Sequence, residues 1–119
     1  MNEVKAFIRK RRTEEVVDSL ERKGFCCMTV IDVMGLGHLS DPKHSKLSIN
    51  IAARFSEIVK LVVVCKSEVT DEVIQLISKG ARSGQSGDGI IYVTPVTKSV
   101  HIRTGNSGGD ILQHPKHEK

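Results

Sequence analysis

Residues 83–89, SGQSGDG, have the composition of a loop that binds phosphate through its backbone. Glycine-rich turns can aim successive amide N–H groups at one anion and so form a concave binding site. Phosphate loops often add a cation, but no Lys or Arg occurs between Gln85 and Val93. Asp-Gly is also a common turn pair. These residues alone leave two interpretations open: a phosphate loop without its cation, or a tight turn.

Other residue types that do chemistry are scattered along the chain. No nucleophile, base and orienting group are spaced for covalent catalysis, so the sequence does not predict an enzyme. The candidate metal ligands lie in a loop and in the tail: His38, Asp41, His44, His114 and His117. Structural zinc sites use four ligands at defined spacing, and these residues lack it. No metal site is predicted.

The three cysteines, Cys26, Cys27 and Cys65, also lack metal-ligand spacing. Reduced structural thiols are therefore expected. Cys26 and Cys27 are adjacent in a predicted strand, which would point them to opposite faces.

The bulk composition predicts one small globular domain. The chain has 119 residues and a net charge of +4, which favours anionic ligands. Basic residues are not interleaved with aromatics, so nucleic-acid binding is not expected. The basic run at residues 9–12 is interpreted as a solvated strand end. No apolar run reaches the ~18 residues that span a bilayer, and the start does not resemble a signal peptide. A cytoplasmic protein that is not membrane-embedded is predicted.

Hydrophobic periodicity predicts a first strand-helix-strand unit. Residues 3–9 alternate as a half-buried strand. A helix follows, capped by Thr13, with an apolar stripe of Val16, Val17 and Leu20, and Gly24 suits a left-handed stop. A second strand covers about residues 27–35.

A second unit of the same kind follows residues 36–56, which have no sustained period and are predicted to be a long functional loop. Residues 58–65 form a strand, and residues 67–80 form a helix capped by Ser67 or Thr70. The apolar face of that helix comprises Val69, Val73, Ile74, Leu76 and Ile77. Residues 89–96 form a strand that Pro95 places at an edge, followed by a short extended piece, SVHIRTG.

Two such units predict an α+β, ferredoxin-like fold: a double βαβ with a four-stranded antiparallel sheet and both helices on one face. The other face is left open. Its central strands are too apolar to face water, so other subunits are expected to cover it.

Three segments resemble the PII family of nitrogen-regulatory signalling proteins. RKGFCCMTVIDVMGLG resembles the strand and Gly-x-Gly that lead into the family's T-loop. ARSGQSGDGIIYV resembles the B-loop, usually written A-R-T-G-x-I-G-D-G-K-I-F-V, and VTPVTKSVHIRTGNSG resembles the C-terminal segment. The resemblance covers residues 1 to about 108, in the same order of elements.

The resemblance implies a homotrimer whose intersubunit clefts bind ATP or ADP, and 2-oxoglutarate with Mg-ATP. T-loops then bind or release a target protein, so the protein is a regulator and not an enzyme. The implied domain covers residues 1–108. Its parts are the T-loop (about 37–56), the B-loop (about 81–89) and the C-terminal segment (about 98–108), with a flexible tail at 109–119.

The residues that the resemblance assigns to nucleotide binding are Thr29, Gly35, Leu36, Gly37, His38, Val64, Gly87, Asp88, Gly89 and Arg103. Thr29 and Val64 would lie near the adenine. The amides of residues 87–89 would form an anion site, and Arg103 would make a charge-assisted contact to phosphate.

The chain departs from the family pattern where negative charge should bind. Ile58 and Ile90 stand where the family has lysines, and His38 and His101 stand where it has arginines. Leu39 replaces the family glutamine at the magnesium and 2-oxoglutarate site. Each lost contact to a charged group costs roughly 1.5–3 kcal/mol. The expected ligand is therefore ADP, ATP or AMP at a weakened triphosphate site, without 2-oxoglutarate.

The predicted T-loop has no tyrosine, which excludes nucleotidylation at the usual T-loop tyrosine. The predicted function is an adenine-nucleotide-responsive regulator that controls an unknown target protein, in nitrogen or related metabolism. Two alternatives stay open. One is a trimeric interaction scaffold that has lost ATP and 2-oxoglutarate sensing; the other is a sensor of another small ligand in the same cleft.

Overall fold

A computed structural model describes residues 1–25, 27–34 and 57–108, and the order of its elements is βαββαβ. The elements are β1 (Asn2–Arg9), α1 (Thr13–Arg22), β2 (Met28–Val33), β3 (Ile58–Cys65), α2 (Thr70–Ala81) and β4 (Gly89–Pro95). The predicted T-loop and tail lie outside the described residues. None of the described helices has the length and apolarity needed to traverse a bilayer.

The four strands form one antiparallel sheet in the order β2-β3-β1-β4. In the register, Val62 of β3 lies opposite both Thr29 of β2 and Lys5 of β1, and Lys5 lies opposite Tyr92 of β4. Directly paired residues share a face of an antiparallel sheet. The predicted ferredoxin-like fold is confirmed.

Both helices cover the same face of the sheet, where the core lies. Their fully buried side chains are Val16 and Leu20 of α1 and Val73 and Ile77 of α2, packed on Val4, Ala6, Ile8, Val59, Leu61 and Val63. The other members of the predicted apolar stripes, Val17, Val69, Ile74 and Leu76, are partly buried and pack against this core. Gly80 lets the helices approach closely, since a Cβ there would lie 2.9 Å from Cγ2 of Val16.

Neither described helix packs against the opposite face of the sheet, which mixes aromatic, aliphatic and charged side chains. Phe7 and Tyr92 meet edge to face with ring centroids 6.1 Å apart, and Nζ of Lys60 lies 6.0 Å from the Phe7 centroid. Tyr92 is half exposed, as is Ile31 on β2. We call this surface the open face.

The predicted helix caps were wrong because a 3-10 turn precedes each helix. Lys10–Arg12 leads into α1, so Thr13 is already helical. Its Oγ1 is buried and has no hydrogen-bond partner among the residues that the structure describes. Ser67–Val69 leads into α2 in the same way, and neither Ser67 nor Thr70 caps it. Instead, the Thr70 hydroxyl donates to the Lys66 carbonyl and accepts from the Asn2 amide.

Two other local predictions also need correction. Cys27 precedes β2 in a left-handed conformation (φ 63°), so it does not belong to a strand; Cys26 lies outside the described residues. The segment SVHIRTG is a turn and not an extended piece, closed by a bridge between Val100 and Ser107. The left-handed stop at Gly24 is confirmed (φ 88°).

Candidate ligand-binding site

The glycine loop, residues 82–88, connects the end of α2 to the start of β4. Asp88 organises it: its carboxylate accepts hydrogen bonds from the amides of Ser83 (2.8 Å) and Gly84 (2.9 Å) and a short one from the Ser83 hydroxyl. The hydroxyl bond, with the two amide bonds and Arg9, outweighs burial and lowers the pKa of Asp88 to about 2. The amides of Ser83 and Gly84 are therefore already used within the chain.

Gly89 is required by the sheet itself. Its φ is 112°, and a Cβ there would overlap the carbonyl oxygen of Phe7 on β1, the strand with which β4 pairs. Gly87 is also left-handed (φ 94°). Residues other than glycine rarely adopt such angles. The Gly-Asp-Gly motif thus has a structural role that does not depend on a ligand.

Arg9 reaches the same loop from the end of β1. Its Nη2 donates to the Ser86 carbonyl (2.6 Å), and its Nε lies 3.4 Å from Oδ1 of Asp88. The Arg9 side chain is only 11% exposed. The interpretation of residues 9–12 as a solvated strand end is wrong for Arg9. The alternation of β1 continues to Arg9 but does not identify its partners, which are 77 and 79 positions away.

Thr29 and Val64 lie together on the open face, away from the glycine loop. Thr29 is opposite Val62, so Val64 is its diagonal neighbour on β3. Thr29 is exposed on edge strand β2, whereas Gly89 begins the other edge strand, β4. Three inter-strand spacings, about 14 Å, separate these strands. One chain does not bring the predicted adenine residues to the predicted phosphate loop.

Arg103 lies in a third place, the C-terminal turn, which we define as residues 100–107. The amides of His101 and Gly105 close this turn through 2.7 Å bonds to Asn106 and His101 carbonyls. The preceding segment leaves the sheet beside the first residue of β1, where the Val96 amide donates to the Met1 carbonyl. The glycine loop lies at the opposite end of β1, beside Arg9. Arg103 is exposed.

The positions that depart from the family pattern lie in distinct environments. Ile58 begins β3 and is buried (7% exposed), whereas Ile90 is 42% exposed on the open face. His101 is exposed in the C-terminal turn. Four predicted site residues, Gly35, Leu36, Gly37 and His38, lie outside the described residues, as does Leu39.

Concave space borders the glycine loop on the helical side. A cavity of about 420 Å³ lies between α2 and β4, with Ile8, Ile77 and Ile91 in its apolar wall and Arg82 and Asp88 at its polar edge. Within residues 1–25, 27–34 and 57–108, no group of three or more His, Cys, Asp or Glu side chains is placed to hold a metal ion.

The family model described as nitrogen regulatory protein P-II matches residues 1–106. The chain belongs to the PII family. It is 38% identical to nitrogen regulatory protein P-II 1 of Methanothermobacter thermautotrophicus over 112 residues, covering 94% of this chain and 97% of that protein. It is 32% identical to nitrogen regulatory protein P-II of Azospirillum brasilense, covering 94% and 100% of the two chains.

A solved structure of Arabidopsis thaliana PII bound to citrate has the same fold, with a TM-score of 0.76 and 31% identity. The match covers 94% of this chain and 89% of the plant chain. This PII chain is therefore similar in sequence to proteins named as nitrogen regulators and similar in fold to the plant PII protein.

Proposed function

We propose that this PII chain forms a homotrimer in which an adenine nucleotide binds between subunits and sets the conformation of the T-loop, about residues 37–56, toward a target protein. Its domain is proposed to be residues 1–108. One observation carries the proposal: the predicted binding residues lie in separate groups at different ends and edges of one chain.

The separation argues for a shared site. Thr29 and Val64 lie near the end of the sheet where β3 ends. The C-terminal turn leaves the sheet at that same end. The glycine loop lies at the other end, on the other edge strand. A nucleotide that contacts both groups needs the loop of one subunit and the strand residues of the next.

The open face supports association of subunits. Three large apolar side chains on it, Ile31, Ile90 and Tyr92, are 42–50% exposed in the single chain. Large exposed apolar groups that share one surface are typical of protein interfaces. Members of the PII family are trimers that interact with target proteins, which makes a trimer the simplest assembly to bury this face.

The charges at the site favour a nucleotide with few phosphates. Ile90 and Ile58 provide no cation, and Ile58 is packed in the protein. We therefore propose that ADP or AMP binds at least as well as ATP, and that 2-oxoglutarate does not increase affinity. Regulation in nitrogen metabolism is part of the proposal because related proteins carry that name. The cytoplasmic location stays a prediction.

A second candidate is a trimeric scaffold without nucleotide sensing. Gly89 favours it, because the sheet requires a glycine there whether or not phosphate binds. The Gly-Asp-Gly motif alone is therefore no argument for a ligand. The same scaffold could also hold a different small anion in the intersubunit cleft.

Calorimetric titration of the purified protein with ATP, ADP, AMP and adenosine, with and without Mg²⁺ and 2-oxoglutarate, tests the proposal. Light scattering at the same concentration gives the number of subunits. Micromolar binding of a nucleotide by a trimer is the expected result. No heat with any nucleotide, from a protein shown to be trimeric, would favour the scaffold instead.

A matched pair of variants identifies the site. Thr29→Tyr places a large ring where the adenine is proposed to bind, and Thr94→Tyr makes the same change on the other edge strand, also on an exposed threonine. Thr29→Tyr should weaken adenosine and every nucleotide alike. Equal loss in both variants, with the trimer intact, would contradict a site at Thr29.

A further inference from the structure

We infer that Arg9 is a positioning residue that makes the glycine loop competent to bind an anion. It does so by orienting the Gly87 amide and by balancing the charge of Asp88. This inference rests on the proposed function and names a residue that the family pattern and the local sequence do not assign to the site.

The first step is the orientation of one peptide group. Arg9 Nη2 holds the Ser86 carbonyl oxygen at 2.6 Å. In a planar trans peptide, that oxygen and the N–H of the next residue point in opposite directions. The Gly87 N–H therefore points away from Arg9. Within the described part of the chain, the Gly87 amide has no hydrogen-bond acceptor, whereas the Asp88 amide closes the turn at residues 86 and 87.

The second step is the competition for donors inside the loop. The Asp88 carboxylate accepts hydrogen bonds from the amides of Ser83 and Gly84, and the Gln85 amide donates to the Ser83 hydroxyl. These donors are not available to a ligand. The Gly87 amide belongs to the peptide that Arg9 holds and stays unpaired within the described residues. The usable anion site is therefore the part of the loop that Arg9 orients.

The third step is electrostatic. Asp88 carries a full negative charge next to Gly87, and a phosphate at the Gly87 amide would meet that charge. Arg9 lies 3.4 Å from Oδ1 of Asp88, and both side chains are largely shielded from solvent, at 11% and 25% exposure. Opposite charges at this distance offset each other's field. Without Arg9, the charge of Asp88 would be less well compensated at the Gly87 amide, and Ile90 supplies no charge in its place.

The test uses the full chain with tripolyphosphate, ADP and adenosine as probes, at low and moderate salt. Three variants are compared: Arg9→Gln removes the charge, Arg9→Lys keeps it, and Arg11→Gln removes a charge from the exposed neighbouring turn. Arg9→Gln should bind tripolyphosphate and ADP about 10- to 100-fold more weakly, as expected for the loss of a charged partner.

Adenosine separates positioning from general damage. It has no phosphate, so its affinity should be the same in Arg9→Gln and wild type. Arg9→Lys should fall between the two, because it restores the charge without the planar donor geometry. Arg11→Gln should match wild type with all three probes, apart from a small salt-dependent change.

The outcomes test the role of Arg9 separately from the proposed nucleotide site. If wild type binds ADP and Arg9→Gln binds it equally well, the role of Arg9 is overturned and the nucleotide site stands. If wild type binds tripolyphosphate but no nucleotide, the proposed function fails, and the comparison with Arg9→Gln still decides the role of Arg9. If wild type binds neither, both are wrong. Equal loss of adenosine in Arg9→Gln would indicate a structural role only.

Discussion

The glycine loop and the C-terminal turn hold predicted binding residues in opposite ways. The loop is fixed by contacts within its own chain. Asp88 accepts a hydrogen bond from the Ser83 amide, Arg9 donates to the Ser86 carbonyl, and Gly89 begins β4 against Phe7. The C-terminal turn is closed only by bonds within itself. Its residue Ile102 is 99% exposed.

This difference indicates which part of the site the single chain completes. A region with its partners in place is ready for a ligand before assembly. The C-terminal turn presents the exposed side chains of Ile102 and Arg103, and Arg103 has no ion pair within the described residues, so we expect their partners to come from another molecule. Changes in the glycine loop should therefore lower the stability of the chain itself. Changes in the C-terminal turn should leave stability unchanged and affect binding.

The largest effect is expected from Gly89→Ala. The new Cβ would overlap the Phe7 carbonyl oxygen and would lie 2.9 Å from the carbonyl carbon, so β4 has to move away from β1. We expect a loss of about 3 kcal/mol or more in the free energy of unfolding. Urea denaturation followed by circular dichroism measures it.

Gly84→Ala is the matched control for that change. Gly84 is also left-handed (φ 85°), but nothing lies within 4 Å of a Cβ placed there. Only the backbone strain remains, so the loss should be about 1 kcal/mol. Similar losses in the two variants would mean that the contact between β4 and β1 is not what requires glycine at residue 89.

Asp88→Asn should have a smaller, pH-dependent effect. The folded-state pKa of about 2 lies below the ordinary aspartate pKa of 3.8, so ionised Asp88 stabilises the fold above pH about 4. That contribution is lost as the pH falls through about 2. With a quarter of the side chain exposed, we expect a loss of ~1–2 kcal/mol at neutral pH.

Urea denaturation of wild type and Asp88→Asn at several pH values between neutrality and about 2 checks this sign. The difference between the two proteins should shrink as the pH falls. Asp18→Asn, an exposed change on α1, is the control and should show little difference at any pH. A difference that grows toward acid would contradict the role of the Asp88 carboxylate.

The elements of the fold were predictable because their signals are local. The run IVKLVVVC gave β3 with the bounds that the structure has, and Val16, Leu20, Val73 and Ile77 were recognised as apolar stripes. The helix starts were not predicted, since a threonine before a helix looks like a cap whether or not a 3-10 turn intervenes. Propensity does not distinguish these two cases.

The site was predictable only in part, because its contacts are long-range. Arg9 bonds to residues 77 and 79 positions away, and no local pattern connects them. The separation of Thr29 from the glycine loop follows from the strand order, which requires the whole fold. The role of Gly89 in sheet pairing became visible only with the register between β1 and β4.

Arg103→Ala should have the smallest effect on stability and sharpens the comparison most. Arg103 is exposed and makes no ion pair or hydrogen bond to the rest of the described chain. Its removal should change the free energy of unfolding by no more than about 0.5 kcal/mol. If it contacts phosphate from a neighbouring subunit, however, the affinity for ADP should fall about tenfold or more.

Calorimetry and urea denaturation on the same preparation separate these two quantities, with Lys98→Ala as an exposed cation removed from the same segment. Mixing Arg103→Ala subunits with Arg9→Gln subunits gives the decisive result. A site that uses the glycine loop of one chain and the turn of another regains some wild-type clefts in mixed trimers. A cleft formed by the loop of an Arg103→Ala subunit and the turn of an Arg9→Gln subunit carries neither change. A site built within one chain would carry one lesion in every cleft and would recover nothing.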